Sequence, residues 1–147
     1  GRYGDALNSE IILDLFSGTG SLGLEAFSRG NSKKVIFVEN NLSVTKILEK
    51  NIRNFFLEKQ SLILNIDATK ICEWKLNPVG LIFSDPPYFS KFSDDALNTL
   101  SRLNAFKSNA IAVLETSYKE PIPTVEGFKV CESRKVGKTK IHFLKYN

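Results

Sequence analysis

The sequence predicts one α/β domain with a mostly parallel sheet and helices on both of its faces. Three observations predict it. Apolar runs alternate with segments of helical periodicity along most of the chain, as repeated strand–helix units do. The runs are nearly continuous, which suits strands buried on both faces. The chain has 147 residues, no internal repeat and no low-complexity linker, so it reads as a single domain over 1–147.

Ile11-Ile12-Leu13-Asp14-Leu15-Phe16 is the first such run, and a glycine-rich turn follows it. Ser21–Arg29 reads as a short helix ended at Gly30-Asn31. Lys34–Val38 is the second strand. Asn41 or Ser43 can cap the next helix, whose apolar face is read as Val44, Ile47, Leu48, Ile52, Phe55 and Phe56. Ser61–Asn65 is the third strand, Thr69–Trp74 holds a helical turn, and Asn77-Pro78 breaks it before the fourth strand, Val79–Phe83. Ser93 is the expected cap of a helix with Asp94 and Asp95 at its positive end and Leu97, Leu100 and Leu103 as its buried stripe. Ala110–Leu114 is the fifth strand. The end reads as a hairpin, Lys129–Lys135 with Thr139–Lys145, turning around Gly137.

Composition removes several classes of function. No apolar stretch reaches the roughly 20 residues that a membrane-spanning helix needs. Gly1–Glu10 has no apolar signal-type region, so a cytoplasmic location is expected. Cys72 and Cys131 are too few for a disulfide scaffold, and the single histidine, His142, rules out the usual histidine-rich zinc sites, though not a carboxylate site for Mg²⁺; no metal is expected. The chain carries a net charge of +4, concentrated near its end. Residues 129–145 hold Lys129, Arg134, Lys135, Lys138, Lys140 and Lys145 against one acid, Glu132. A basic segment on a near-neutral body suits a polyanionic partner, and equally a solvated edge strand guarded by lysines.

Gly18-Thr19-Gly20-Ser21-Leu22-Gly23 has the spacing G-x-G-x-x-G between a strand and a helix, the context that this motif requires. Glycines there let the backbone turn sharply and approach a ligand. Glu39 ends the second strand about 20 residues on, where a carboxylate can accept hydrogen bonds from two ribose hydroxyls. Together they point to an adenosine-containing cofactor, either a nicotinamide nucleotide or S-adenosylmethionine. Asp14, inside an apolar strand, needs a partner: a cationic cofactor, or backbone N–H groups of the glycine turn. Asp67 can meet an adenine amino group or cap the turn after it.

Asp85-Pro86-Pro87-Tyr88 follows the fourth strand at the carboxyl edge, where open α/β sheets bind ligands. Two prolines donate no N–H and hold φ near −65°, which leaves the Pro86 carbonyl rigid and free of ladder bonds. That carbonyl and the Asp85 carboxylate are two fixed acceptors for the two hydrogens of an exocyclic amine, and Tyr88 can stack on a flat base. The chemistry implied is methyl transfer from a sulfonium to an amine nitrogen, driven largely by alignment. The alternative is a rigid turn that only closes a strand.

Asp14–Ala26, Phe37-Val38-Glu39 and Asp85–Tyr88 resemble the class I S-adenosylmethionine-dependent methyltransferases, nearest to the bacterial family that methylates the N2 amine of a guanine in small-subunit (16S) ribosomal RNA. Arg134–Phe143 is similar to that family's last hairpin. The resemblance implies a Rossmann-like, seven-stranded, mostly parallel sheet with a C-terminal antiparallel hairpin. It implies that Phe16, Ser17, Gly18 and Gly20, with Asp14 beside them, wrap the methionine part of S-adenosylmethionine. Glu39 would bind the ribose, Asn40, Asp67 and Ala68 would flank the adenine, and Asp85, Pro86, Pro87 and Tyr88 would hold the target amine. Arg134, Lys135, Lys138 and Lys140 would meet ribosomal RNA or the small-subunit particle. Relatives usually carry a basic N-terminal extension, whereas here Arg2-Tyr3-Gly4-Asp5 runs almost straight into the first strand. A monomer without membrane attachment is expected.

Three other readings compete: an adenine-N6 methyltransferase on DNA or RNA, a nicotinamide-dependent oxidoreductase, and a non-catalytic RNA-binding protein. The transferase reading has a geometric condition. Residues 16–20 and 85–88 must face one another across a shared opening.

Overall fold

The computed structural model describes residues 8–147. The segment Arg2–Asp5 lies outside the described residues. The elements run β1 (Ile11–Leu15), α1 (Ser21–Arg29), β2 (Lys34–Val38), α2 (Leu42–Asn54), β3 (Ser61–Leu64), a 3-10 turn (Ala68–Lys70), β4 (Val79–Ser84), α3 (Phe92–Arg102), β5 (Phe106–Ser117), β6 (Phe128–Val136) and β7 (Thr139–Tyr146). They form one seven-stranded sheet in the order β3-β2-β1-β4-β5-β7-β6. β1 to β5 pair in parallel, and β7 runs antiparallel to both β5 and β6. The expected seven-stranded fold with its terminal hairpin is therefore present.

Strand alternation divides the core. Leu13, Leu15, Ile36, Val38 and Ile82 face one side with Leu97 and Leu100 of α3. Ile12, Val35, Phe37 and Leu81 face the other with Leu24 of α1 and Leu48 and Ile52 of α2. Both layers are shut off from water, so the central strands need apolar residues on each face. Strand order reverses between β1 and β4, and the crevice at their carboxyl ends is where such sheets bind ligands.

Several local expectations need correcting. On α2 the buried residues are Thr45, Leu48 and Ile52, while Ile47, Phe55 and Phe56 are exposed, so the apolar face is narrower than the sequence suggests. Asn41 is the cap: its Oδ1 accepts from the Val44 N–H at 3.2 Å. Ser93 does not cap α3. It lies inside that helix, buried, with its Oγ 2.6 Å from Ser84 Oγ, and left-handed Lys91 (φ 59°) takes the cap position. β5 extends well beyond Ala110–Leu114 because pairing with β7 continues to Ser117 opposite Thr139. His142 is buried on β7, its ring nitrogens bonded to Ser133 Oγ (2.7 Å) and Thr116 Oγ1 (3.0 Å). Burial pushes its pKa down, so it is a neutral packing residue.

Candidate active site

Sheet register assembles the site. Leu15 of β1 is level with Val38 of β2 and with Ser84 of β4, and Ser84 is level with Leu114 of β5. The next residue along is the first one past β1, β2 and β4, whereas on β5, which runs on to Ser117, it is still in the strand and level with Ile141 of β7. Glu39, Phe16, Asp85 and Glu115 therefore stand in a row contributed by four adjacent strands. Three of them were candidates from sequence; Glu115 was not.

The glycine turn is held from two sides. The Asp14 carboxylate faces the α1 layer and accepts the Gly23 N–H at 3.0 Å. Of its two possible partners, the structure supplies the backbone. Asp14 is 2% exposed, and burial pushes its pKa up to about 8, with the negative charges of Asp85 and Glu39 adding to the effect. Glu39 accepts the Gly18 N–H at 2.9 Å on Oε1 and the Asn41 N–H at 2.8 Å on Oε2. The motif's second and third glycines are required by what lies beneath them. A Cβ on Gly23 would stand 2.8 Å from the Phe37 ring and 3.0 Å from Asp14 Oδ2. One on Gly20, at φ +89°, would collide with Leu48. Phe16 itself sits at φ 55°, a conformation that costs a non-glycine residue energy and that the flanking hydrogen bonds hold in place.

Two adjoining cavities open over this edge. The larger, about 580 Å³, is lined by Phe16, Glu39, Asp85, Pro86, Pro87, Tyr88 and Glu115. The smaller, about 190 Å³, is lined by Phe16, Val38, Glu39, Asn40, Ile66, Asp67, Ala68, Pro87 and Phe92. Phe16, Glu39 and Pro87 belong to both, so the loop after β1 and the Asp-Pro-Pro-Tyr segment face one continuous opening. Phe16 stacks on Phe92 with ring centres 6.1 Å apart. Asp67 Oδ1 accepts from Thr69 N–H (2.9 Å) and Thr69 Oγ1 (2.7 Å), which lowers its pKa; it caps the turn and also lines the smaller cavity.

The Asp-Pro-Pro-Tyr turn is tied down on its far side. Ser90 Oγ donates to the Pro87 carbonyl at 2.7 Å, while among the described residues the Pro86 carbonyl receives no hydrogen bond. The Phe89 N–H donates to Glu120 Oε1 at 2.9 Å, and Glu120 Oε2 accepts the Ser117 N–H. Tyr88 Oη lies 2.6 Å from Thr139 Oγ1 on the terminal hairpin. Asp85 and Glu115 follow the paired residues Ser84 and Leu114 and line the same cavity, close enough for each carboxyl to affect the other's proton affinity. Burial raises the pKa of each, offset at Asp85 by Glu115 and reinforced at Glu115 by the Asp85 charge.

The basic candidates lie beside this opening rather than in it. Lys138 and Lys140 flank Thr139, the residue bonded to Tyr88. Lys135 sits 4.5 Å over the Tyr118 ring, and Arg134 lies over Phe143 while paired with Glu132. Part of the hairpin's positive charge is therefore already engaged. Among the described residues, no group of three or more metal-ligating side chains gathers.

A cationic, adenosine-bearing ligand fits these residues on three counts. Glu39, Asp85 and Glu115 bring carboxyl groups to one opening. Ser17 Oγ is buried with no hydrogen-bond partner among the described residues. The space that a Cβ on Gly18 would point into is open, in a loop whose backbone is left-handed at that residue.

Comparison with known proteins agrees with this geometry. Ribosomal RNA small subunit methyltransferase D of Haemophilus influenzae is 31% identical over 134 residues, 89% of this chain and 69% of its own length. The Escherichia coli protein of the same name is 28% identical over 113 residues, 77% of this chain and 56% of its own. This chain thus spans between 56% and 69% of the length of these curated relatives. A solved Haemophilus influenzae protein described as a candidate methylase superposes with a TM-score of 0.86 at 26% identity, covering 99% of this chain and 91% of that one. The family described as conserved hypothetical protein 95 matches residues 2–145. On that match the chain belongs to the conserved hypothetical protein 95 family, built on a Rossmann-like methyltransferase fold and related to the small-subunit ribosomal RNA methyltransferases.

Proposed function

We propose that this chain is an S-adenosylmethionine-dependent methyltransferase that modifies the exocyclic N2 amine of a guanine in small-subunit ribosomal RNA, acting in the cytoplasm as a monomeric single domain. The observation that carries this reading is the shared opening: Phe16 and Glu39 line the same cavity as Asp85, Pro86, Pro87 and Tyr88. The relatives named for small-subunit ribosomal RNA methylation support the choice of RNA.

When bound, S-adenosylmethionine supplies a methyl carbon activated by its sulfonium: the N–C bond forms as the C–S bond breaks, and the bonding pair leaves with sulfur. The chain's own residues bind and align. Ser17, Gly18 and Gly20 would hold the methionine half. Glu39 keeps lone pairs for the ribose hydroxyls beyond those used by the Gly18 and Asn41 N–H groups. Asn40, Asp67 and Ala68, which line the smaller cavity, would border the adenine. Asp85 and the Pro86 carbonyl accept the two amine hydrogens and so aim the nitrogen lone pair. As positive charge grows on that nitrogen, Asp85 stabilises it, and its proton affinity, raised by burial, suits it to receive the proton released. Tyr88 stacks on the base, its hydroxyl steadied by Thr139. Lys138 and Lys140 meet phosphates.

The test is base-resolved mapping after incubating small-subunit RNA, free and assembled, with radioactive S-adenosylmethionine. Label at guanine N2 is expected. Label confined to adenine, or none above a no-enzyme control, contradicts the reading, and tighter binding of a nicotinamide nucleotide would point to the oxidoreductase.

A further inference from the structure

We infer that Glu115 reads the target base: its carboxylate accepts the N1–H of the guanine while Asp85 accepts from the neighbouring amine, and it thereby selects guanine over a purine whose N1 carries a lone pair. This deepens the functional reading above and rests on it.

Sheet register supplies the first reason. Ser84 pairs with Leu114, so Asp85 and Glu115 follow side by side along adjacent parallel strands. Glu115 lines the cavity that contains Asp85, Pro86, Pro87 and Tyr88, but not the smaller cavity at Asn40 and Asp67. That cavity also holds Phe16 and Glu39, but in the strand order β2-β1-β4-β5 Glu115 stands on the side of Asp85 away from both. Chemistry supplies the second reason. Two carboxylates that follow paired residues on adjacent strands and line one cavity are placed to receive two donors on neighbouring atoms. Guanine offers such a pair, N1–H and the N2 amine, along one edge. Adenine and 2-aminopurine place a lone pair at N1, which leaves one carboxylate facing an acceptor unless it keeps a proton. Partial burial makes both carboxyls reluctant to ionise without donors, so a two-donor edge is favoured over a one-donor edge. A carboxylate bonded to N–H is also a strong, short contact.

The probe is small-subunit RNA, free or assembled, in whichever form the parent enzyme modifies. It is ligated with either guanine or 2-aminopurine at the modified position. Both bases carry the same 2-amine, and 2-aminopurine lacks N1–H. The parent should prefer guanine by at least about tenfold in kcat/KM. Glu115→Gln, whose amide can donate to a bare N1, should bring the two substrates within about threefold, and Glu115→Ala should lose guanine activity without gaining 2-aminopurine activity. S-adenosylmethionine affinity, measured by calorimetry, should be unchanged in both, which also reports that the variants fold. A guanine preference in Glu115→Gln equal to the parent's, or a parent that does not discriminate, overturns the inference while leaving guanine methylation standing. A parent that labels no guanine removes the functional reading itself.

Discussion

Asp14 carries a cost that the fold accepts in order to hold the glycine turn, and Asp14→Asn should reveal it. The folded protein keeps this carboxyl proton up to about pH 8, whereas an unfolded chain releases it near the ordinary aspartate value of 3.8. Its contribution to stability is therefore complete below pH 3.8 and is lost as pH rises toward 8. The loss accumulates at about 1.4 kcal/mol per pH unit, or roughly 4 kcal/mol by neutral pH. Asparagine keeps an oxygen to accept the Gly23 N–H and has no proton to lose. Urea denaturation of parent and variant at about pH 5, 6, 7 and 8 measures the difference directly. The variant should be more stable at about pH 7, by roughly 2 to 4 kcal/mol, and its advantage should shrink by roughly 2 kcal/mol or more on going to about pH 5. An advantage that does not change over that range would refute the reasoning, because it would mean that the folded protein holds Asp14 ionised.

Other consequences follow from the same geometry. Gly23→Ala should destabilise by about 1 to 3 kcal/mol, since its Cβ must displace the buried Phe37 ring and the Asp14 carboxylate; a shift in the denaturation midpoint with unchanged slope reports this. Lys138→Ala combined with Lys140→Ala should weaken RNA binding and flatten its salt dependence by about 0.7 for each phosphate that is no longer neutralised, read from affinity titrations at several salt concentrations. Removing Arg134, already paired with Glu132, should flatten it less.

The sequence made the framework legible because buried parallel strands leave continuous apolar runs. Lys34–Val38 and Ser21–Arg29 have the bounds that the pattern suggests. The glycine turn, Glu39 and Asp85–Tyr88 were visible because each follows such a run. Glu115 obeys the same rule, ending an apolar run at the sheet's carboxyl edge, yet it becomes a site residue only once β4 and β5 are in register. Pairing across the sheet also set the true length of β5, and no local signal reports a partner 20 or more residues away. Ile47, Phe55 and Phe56 misled because apolar residues at helical spacing need not all reach the core; α2 buries only the stripe centred on Leu48 and Ile52. Ser93 looked like a cap by residue type, but its hydroxyl is used by Ser84 in the interior.

The proposed function requires residues 85–88 to act on a substrate held against the residue 16–20 loop. Single-turnover methyl transfer by Asp85→Ala, at saturating S-adenosylmethionine and with the RNA that the parent modifies, tests this most directly. The rate should fall by at least about a hundredfold while cofactor affinity stays within about threefold of the parent's. A rate matching the parent's, or a loss explained wholly by weaker cofactor binding, would contradict it.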